Sequence, residues 1–333
     1  MTARYPLKLS YVLKERIWAG TTLSSEEWNK TGNLANAGES WELSVRTKEM
    51  CCVSNGPLAG TPLGELLSAD PSVLGCTVDV REFPLLVKLI DAGDSLSVQV
   101  HPDDAYAARV ENDRGKTEMW YIVDARPGAE LIMGLVPGTD MKTFRAAVRA
   151  GKFEHLLYRR PVQKGECYFI PAGLAHAIGA GILIAEIQQN SDLTYRVYDF
   201  DRRDAAGNLR ELHVDKALDV IRPFSHEEIR SLQFSQSGGI PPSPECLADC
   251  ERFTVFERRI QREYVFPTCA NARHLLCLKG RAILLSDGCS YPMVQGDSYL
   301  LPQGLDSPRI VGDCLVLETV LTDAMLADAT KHG

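Results

Sequence analysis

Gln99 and His101 stand two residues apart at the end of a G-x5-Q-x-H segment that begins at Gly93, and His176 closes a G-x5-P-x-G-x2-H segment that begins at Gly165. Side chains of these types bind divalent metal ions. Alternate residues of a strand share a face, so Gln99 and His101 point the same way. Two such strands in a small β-barrel can bring three or four donors to one point. Gly165 and Gly173 bracket a strand expected over Cys167 to Ile170. Pro171 stops it and leaves His176 just past a tight turn, its ring free to fold back. Between the two segments, the run from Thr117 to Val123 reads as a strand with one carboxylate among bulky residues, which makes Glu118 the third or fourth ligand.

The elements needed to carry these donors are short strands separated by turns. Strands are expected over 7–13, 41–45, 85–90, 95–100, 118–123, 166–170, 182–188, 194–198, 254–260, 274–278, 282–285, 298–301 and 314–317. Helices enter as insertions. Residues 140–150, 153–157 and 211–221 carry apolar side chains at helical spacing, and Pro223 follows the last as a stop signal. Ser225 with Glu227 and Glu228 reads as an N-cap and an acidic first turn. A weak internal repeat adds a second unit: Gly296 to Ser307 repeats the glycine and proline spacing of the Gly165 segment, with Ser307 where His176 stood. His274 lines up with Glu118 but has no Q-x-H partner before it, and is expected to be a satisfied or exposed histidine. The fold class is therefore mainly β, with two similar barrels and a few inserted helices. The first covers 1–234, a Ser, Gly and Pro-rich linker 235–244, and a second barrel without a metal position 245–333.

The chain has 333 residues, 45% of them hydrophobic, as soluble globular proteins do. No apolar run has the length of a spanning helix and the first residues lack an apolar signal core, so a cytoplasmic location with no membrane partner is expected. A net charge of -8 with dispersed basic residues disfavours nucleic acid. An anionic small molecule remains compatible, since local cations govern its binding. The ten cysteines are scattered, several within strand patterns, and are read as reduced thiols. Cys246 and Cys250 lack a second pair for a zinc ribbon.

The chain resembles the type I mannose-6-phosphate isomerases, members of the cupin superfamily, in their shorter bacterial form. The likeness covers most of residues 7–222. It is carried by the blocks Gly38 to Glu42, Phe83 to Lys88, Leu96 to Asp104, Gly115 to Tyr121, Pro171 to Gly179 and Ala185 to Arg196. The resemblance implies two cupin-like jelly-roll barrels and one zinc ion per chain held by Gln99, His101, Glu118 and His176. It implies interconversion of mannose 6-phosphate and fructose 6-phosphate through a cis-enediol. It also implies roles for Arg196, for Lys88, Ser97 and Lys116 near the sugar phosphate, and for Glu186 and Asp192 beside the metal or substrate. Three neutral ligands and one carboxylate would leave the ion a net positive charge and open positions to polarise the substrate oxygens. The proton-transfer base stays open among water on the ion, Glu186, Asp192 and a lysine.

Plainer roles stand beside these. Arg196 has possible ion-pair partners in Asp192 and Asp199. Lys88 would otherwise be a surface lysine on an edge strand, and Ser97 an ordinary barrel-lining serine. Trp41, Trp120 and Tyr121 are expected in the core, and His155, His213 and His226 on helices as surface or packing residues. The competing functions are a non-catalytic sugar-phosphate-binding or regulatory relative, and an iron oxygenase. The Gln, His, Glu, His set is unlike the two-histidine, one-carboxylate triad of the latter. Whether the chain is a monomer or a homodimer is left undetermined.

Overall fold

The computed structural model describes residues 4–28, 30, 32, 34, 36–75, 83–204, 206–234, 245–268 and 270–322. The expected linker, 235–244, lies outside the described residues. Nearly all of the expected strands form, and every sheet pairing among the described residues is antiparallel.

A seven-stranded sheet runs in the order Gln233–Phe234, Cys167–Ile170, Glu118–Ala125, Ile182–Gln189, Leu85–Ala92, Ala37–Leu43 and Val12–Glu15. Facing it is a five-stranded sheet of Leu157–Pro161, Glu130–Leu135, His176–Ile178, Val98–Val100 and Tyr195–Tyr198. Alternation along the large sheet sorts its side chains between two cores. Trp120, Ile122, Ile90 and Ile184 point into the first barrel. Met119, Tyr121, Val87 and Ala185 point out of it, into a core shared with Phe253, Leu276, Leu300 and Leu317 of the second barrel. Burial on both faces explains why Leu85–Ala92 and Ile182–Gln189 read as nearly continuous apolar runs.

The second barrel is one eight-stranded sheet built around Arg273–Ser286 and Arg309–Val320. These long strands shift register between Cys277 and Lys279. Gly280 follows at φ +84°, where an added Cβ would lie 2.2 Å from the Asp313 carbonyl oxygen. The long strands can thus bend and serve both layers.

Several expectations need correction. Strand Leu7–Leu9, placed by sequence in the first domain, pairs with Ser298–Leu300 in the sheet of the second, because Leu7 and Leu9 are buried in the shared core. The helix expected over 153–157 is a single tight turn, Glu154–Leu156, after which Leu157–Pro161 becomes an edge strand with Pro161 at its end. The helix expected over 211–221 begins only at Val214. Strand Glu130–Leu135 and helices Leu63–Ala69 and Asp104–Glu111 were not foreseen. Met141–Arg149 forms behind an Asp140 cap, and Ser225 and Glu228 make a reciprocal capping box.

Candidate functional site

His176 does not merely follow a turn: it opens strand His176–Ile178, whose pairing sets it opposite Gln99. Glu118 opens the strand that lies across the barrel from them, and His101 ends the run after Val98–Val100. The result is a buried cluster in which His101, Glu118 and His176 offer ligand atoms all within 4.8 Å of one another. Glu118 Oε1 lies 3.5 Å from His101 Nε2 and 3.4 Å from His176 Nε2. The Gln99 amide end is 3.4 Å from His176 Nε2. Turning that amide by half a turn presents its oxygen to the same point.

The far sides of both rings are committed. His101 Nδ1 lies 2.7 Å from the Leu193 carbonyl and His176 Nδ1 2.8 Å from the Leu174 carbonyl. A carbonyl only accepts, so each Nδ1 carries the proton and each Nε2 presents a lone pair to the cluster. Burial and the neighbouring His101 push His176 down to about 3, so its ring is neutral near neutral pH. Burial alone would raise Glu118, but Lys116 and the two imidazoles outweigh it and hold the carboxylate ionised. His101 Nε2 and both Glu118 oxygens are buried without a hydrogen bond. Orphaned buried groups of this kind cost about 1–3 kcal/mol each, more when charged, unless something fills the gap. A divalent cation meets the requirement of lone pairs and one carboxylate, so these residues fit a metal.

Gln99, beside the cluster, lines a cavity of about 420 Å³ whose walls also include Lys88, Ser97, Lys116, Glu186, Asp192 and Arg196, while His101, Glu118 and His176 lie behind them. Lys88 is not on an edge strand. It lies in the interior strand Leu85–Ala92, 4% exposed, with Nζ 3.2 Å from Glu186 Oε2 and 2.8 Å from Gln188 Oε1. Lys116 Nζ is 3.2 Å from Glu118 Oε2. Burial, and the nearby charge of Glu118 beyond it, raise the Glu186 carboxyl above the usual range. Ser97 Oγ lies on the Gln99 face, 3.5 Å from Oε1.

Arg196 differs from the other cavity cations. Arg16 grips Glu39 through two bonds of 2.7 and 2.9 Å, and Arg210 pairs with Asp199 at 3.2 Å. Among the described residues Arg196 makes no ion pair, and its Nε is buried without a hydrogen-bond partner. The ion pairs with Asp192 or Asp199 that sequence allowed do not form, since Asp199 is taken by Arg202 and Arg210.

Sequence reasoning missed Arg16, Trp18, Glu39 and Arg210 in the lining. Lys14-Glu15-Arg16 reads as a solvated charge run, and Glu39 sat in a recognised block without an assigned role. Burial would raise Glu39, but Lys88 and Arg16 bring it down to about 2. Trp41 donates to Glu39 Oε2 and underlies Lys88 Nζ, and Trp120 donates to Glu186 Oε1 at 3.0 Å. Both tryptophans therefore orient polar groups as well as filling space. His274 is buried, its Nε2 2.6 Å from Ser298 Oγ. His155 and His226 are exposed, while the half-buried His213 accepts the Arg196 backbone N–H through Nδ1. None of the eight described cysteines is in a disulfide. No helix among the described residues is long and apolar enough to cross a membrane.

Comparison with known proteins identifies relatives of the whole chain. The family described as phosphomannose isomerase type I, catalytic domain, matches residues 7–146, and mannose-6-phosphate isomerase, cupin domain, matches residues 245–320. The chain is 37% identical over 314 residues to mannose-6-phosphate isomerase ManA of Bacillus subtilis (strain 168), covering 93% of this chain and 98% of the relative. It is 35% identical to the mannose-6-phosphate isomerase of Streptococcus mutans serotype c, covering 94% and 97%. The crystal structure of the Bacillus subtilis mannose 6-phosphate isomerase superposes with a TM-score of 0.84 at 32% identity, over 95% of this chain and 99% of that one.

Proposed function

The chain belongs to the type I phosphomannose isomerase family and is a mannose-6-phosphate isomerase, and from that premise we propose how its residues carry the reaction. The observation behind the proposal is an orphaned donor cluster adjoining, through Gln99, a cavity lined by a guanidinium without an ion pair among the described residues.

Gln99, His101, Glu118 and His176 would hold one zinc ion per chain, which supplies Lewis acidity for the carbonyl and neighbouring hydroxyl of the sugar. The substrate is mannose 6-phosphate, the product fructose 6-phosphate, and the path a cis-enediol that gathers negative charge on two adjacent oxygens. Arg196 braces that charge or clamps the phosphate, being the cavity cation without a counter-ion of its own among the described residues. Lys116 adds a second positive charge to the same cavity, and Lys88 and Ser97 add a cation and a hydroxyl for the phosphate or sugar. Moving a proton between carbons 1 and 2 needs a base, and a cavity carboxylate with an oxygen to spare can serve. Glu39 is spent on Arg16 and Trp41. Glu186 and Asp192 are therefore assigned to it. Glu186 Oε2 makes no hydrogen bond, its neighbour being the Lys88 ammonium at 3.2 Å, and its raised affinity for protons suits a group that must take and return one.

The test is His176→Ala and His101→Ala, with zinc counted per chain and turnover of mannose 6-phosphate measured in a coupled assay. Both variants should lose zinc and turnover while keeping the second barrel folded. A variant that holds stoichiometric zinc and full activity would remove its histidine from the ligand set.

A further inference from the structure

We propose that Arg252, on the turn between strands Cys246–Asp249 and Thr254–Ile260 of the second barrel, is a positioning residue for Lys116 in the cavity of the first. The inference rests on Lys116 facing the substrate as proposed above.

Lys116 stands on a short segment whose backbone is held at every residue. Gly115 N–H donates to Asp104 Oδ1 at 3.0 Å, Lys116 N–H to the Pro102 carbonyl at 3.0 Å, and Thr117 N–H to Gln189 Oε1 at 2.9 Å. Gln189 is in turn fixed by its own Nε2, which donates to the same Asp104 Oδ1 at 3.0 Å. One carboxylate oxygen thus secures both ends of the segment, directly through Gly115 and through Gln189 at Thr117. The contact is close: a Cβ on Gly115 would lie 2.5 Å from the Asp103 carbonyl carbon and the Asp104 nitrogen.

What fixes Asp104 comes from the other barrel. Its second oxygen, Oδ2, receives Arg252 Nη2 at 2.5 Å, in a pair about a quarter exposed on each side. Arg252 precedes Phe253, which is fully buried in the core shared by the two barrels, so the guanidinium is delivered from an anchored turn. Beyond Lys116, Nζ lies 3.2 Å from Glu118 Oε2. The chain of contacts runs from Arg252 through Asp104 to the backbone around Lys116, and nothing along it touches the substrate cavity except Lys116 itself. The second barrel, which carries no ligand cluster among its described residues, would then contribute to the reaction through the placement of one ammonium group.

The test uses full-length protein loaded with zinc. Arg252→Ala, and Asp104→Asn, which retains an oxygen for Gly115 but loses the ion pair, are each expected to lower kcat/KM about tenfold, mostly in kcat. Zinc per chain should stay unchanged, and Arg252→Lys should recover part of the loss. A double-mutant cycle separates positioning from general weakening. In a Lys116→Gln background, Arg252→Ala should cost nothing further, whereas in an Arg196→Ala background it should cost the same tenfold. Wild-type kinetics in Arg252→Ala and Asp104→Asn, or a fully additive loss with Lys116→Gln, would overturn the inference. Lys116→Gln alone judges the role of Lys116: full activity there would fail that reading and this one together, while a large loss would leave it standing whatever Arg252 does.

Discussion

Among the described cations lining the cavity, Arg196 alone has no ion pair, and this sets the expectation for its removal. Arg196→Ala should cut turnover on the order of a hundredfold, as loss of an electrostatic stabiliser does, while zinc content stays near one per chain. Loss of the metal along with activity would mean that Arg196 supports the ligands and not the substrate. The four proposed ligands were legible in sequence because their spacing is dictated by strand alternation and by turn residues, which act locally. Glu39 and Arg16 were not. Their importance comes from meeting each other, and from Trp41 and Lys88 meeting Glu39, across three neighbouring strands or their ends, a relation no single segment carries. Arg196 lies between these cases: its presence was legible, but its lack of a counter-ion depends on Asp199 being claimed by two other arginines.

Strand Ala37–Leu43 illustrates how one element can serve two sites. Glu39 faces the cavity with Trp41 donating to it from behind, while Ser40 and Glu42 turn toward the second barrel, where Glu42 accepts from Lys30 Nζ at 2.8 Å and from Ser40 Oγ at 2.6 Å. Lys30 also donates to the Gly296 carbonyl of the second barrel at 2.6 Å, and Ser298 Oγ donates to the Glu42 carbonyl at 2.8 Å. Both side chains of the Lys30 and Glu42 pair are 1% exposed. Removing one partner of such a pair strands the other. Lys30→Met should therefore destabilise the protein by about 3–5 kcal/mol, and the double variant Lys30→Met, Glu42→Leu should recover most of that. Urea unfolding of the three proteins checks this; equal midpoints for wild type and Lys30→Met would show the pair to be dispensable. At this scale the sequence was readable where an element has its own punctuation, as with the Ser225 capping box and the Asp140 cap. It misled where tertiary pairing decides. The helix expected over 153–157 stops after one turn, because pairing with Glu130–Leu135 draws the chain from Leu157 onward into an edge strand.

Across the whole molecule, the shared core makes the two barrels one folded body, and the titration of a residue in one should affect the stability of both. His274 is the clearest case. Burial pushes its ring down to about 3, against an ordinary value of 6.5. An unfolded chain takes up the proton first, so the native state keeps its full stability above pH 6.5 and loses it as pH falls from there toward 3. The loss is about 2 kcal/mol by pH 5 from this group alone. His274→Gln should flatten that part of the pH dependence of urea unfolding between pH 7 and 5; an unchanged slope would show that other groups account for it. The repeat that revealed the second barrel was visible because glycine and proline spacing survives loss of chemistry. That Leu7–Leu9 belongs to it was not, since a three-residue apolar strand fits either sheet until the register with Ser298–Leu300 is known. The account as a whole depends on one ion at the point where Gln99, His101, Glu118 and His176 converge. Its most direct test is isomerase turnover of chelator-stripped protein titrated with zinc: activity should be absent at the start, rise in proportion to added ion and level off at one per chain, whereas full turnover by the stripped protein, or none at any zinc level, would contradict it.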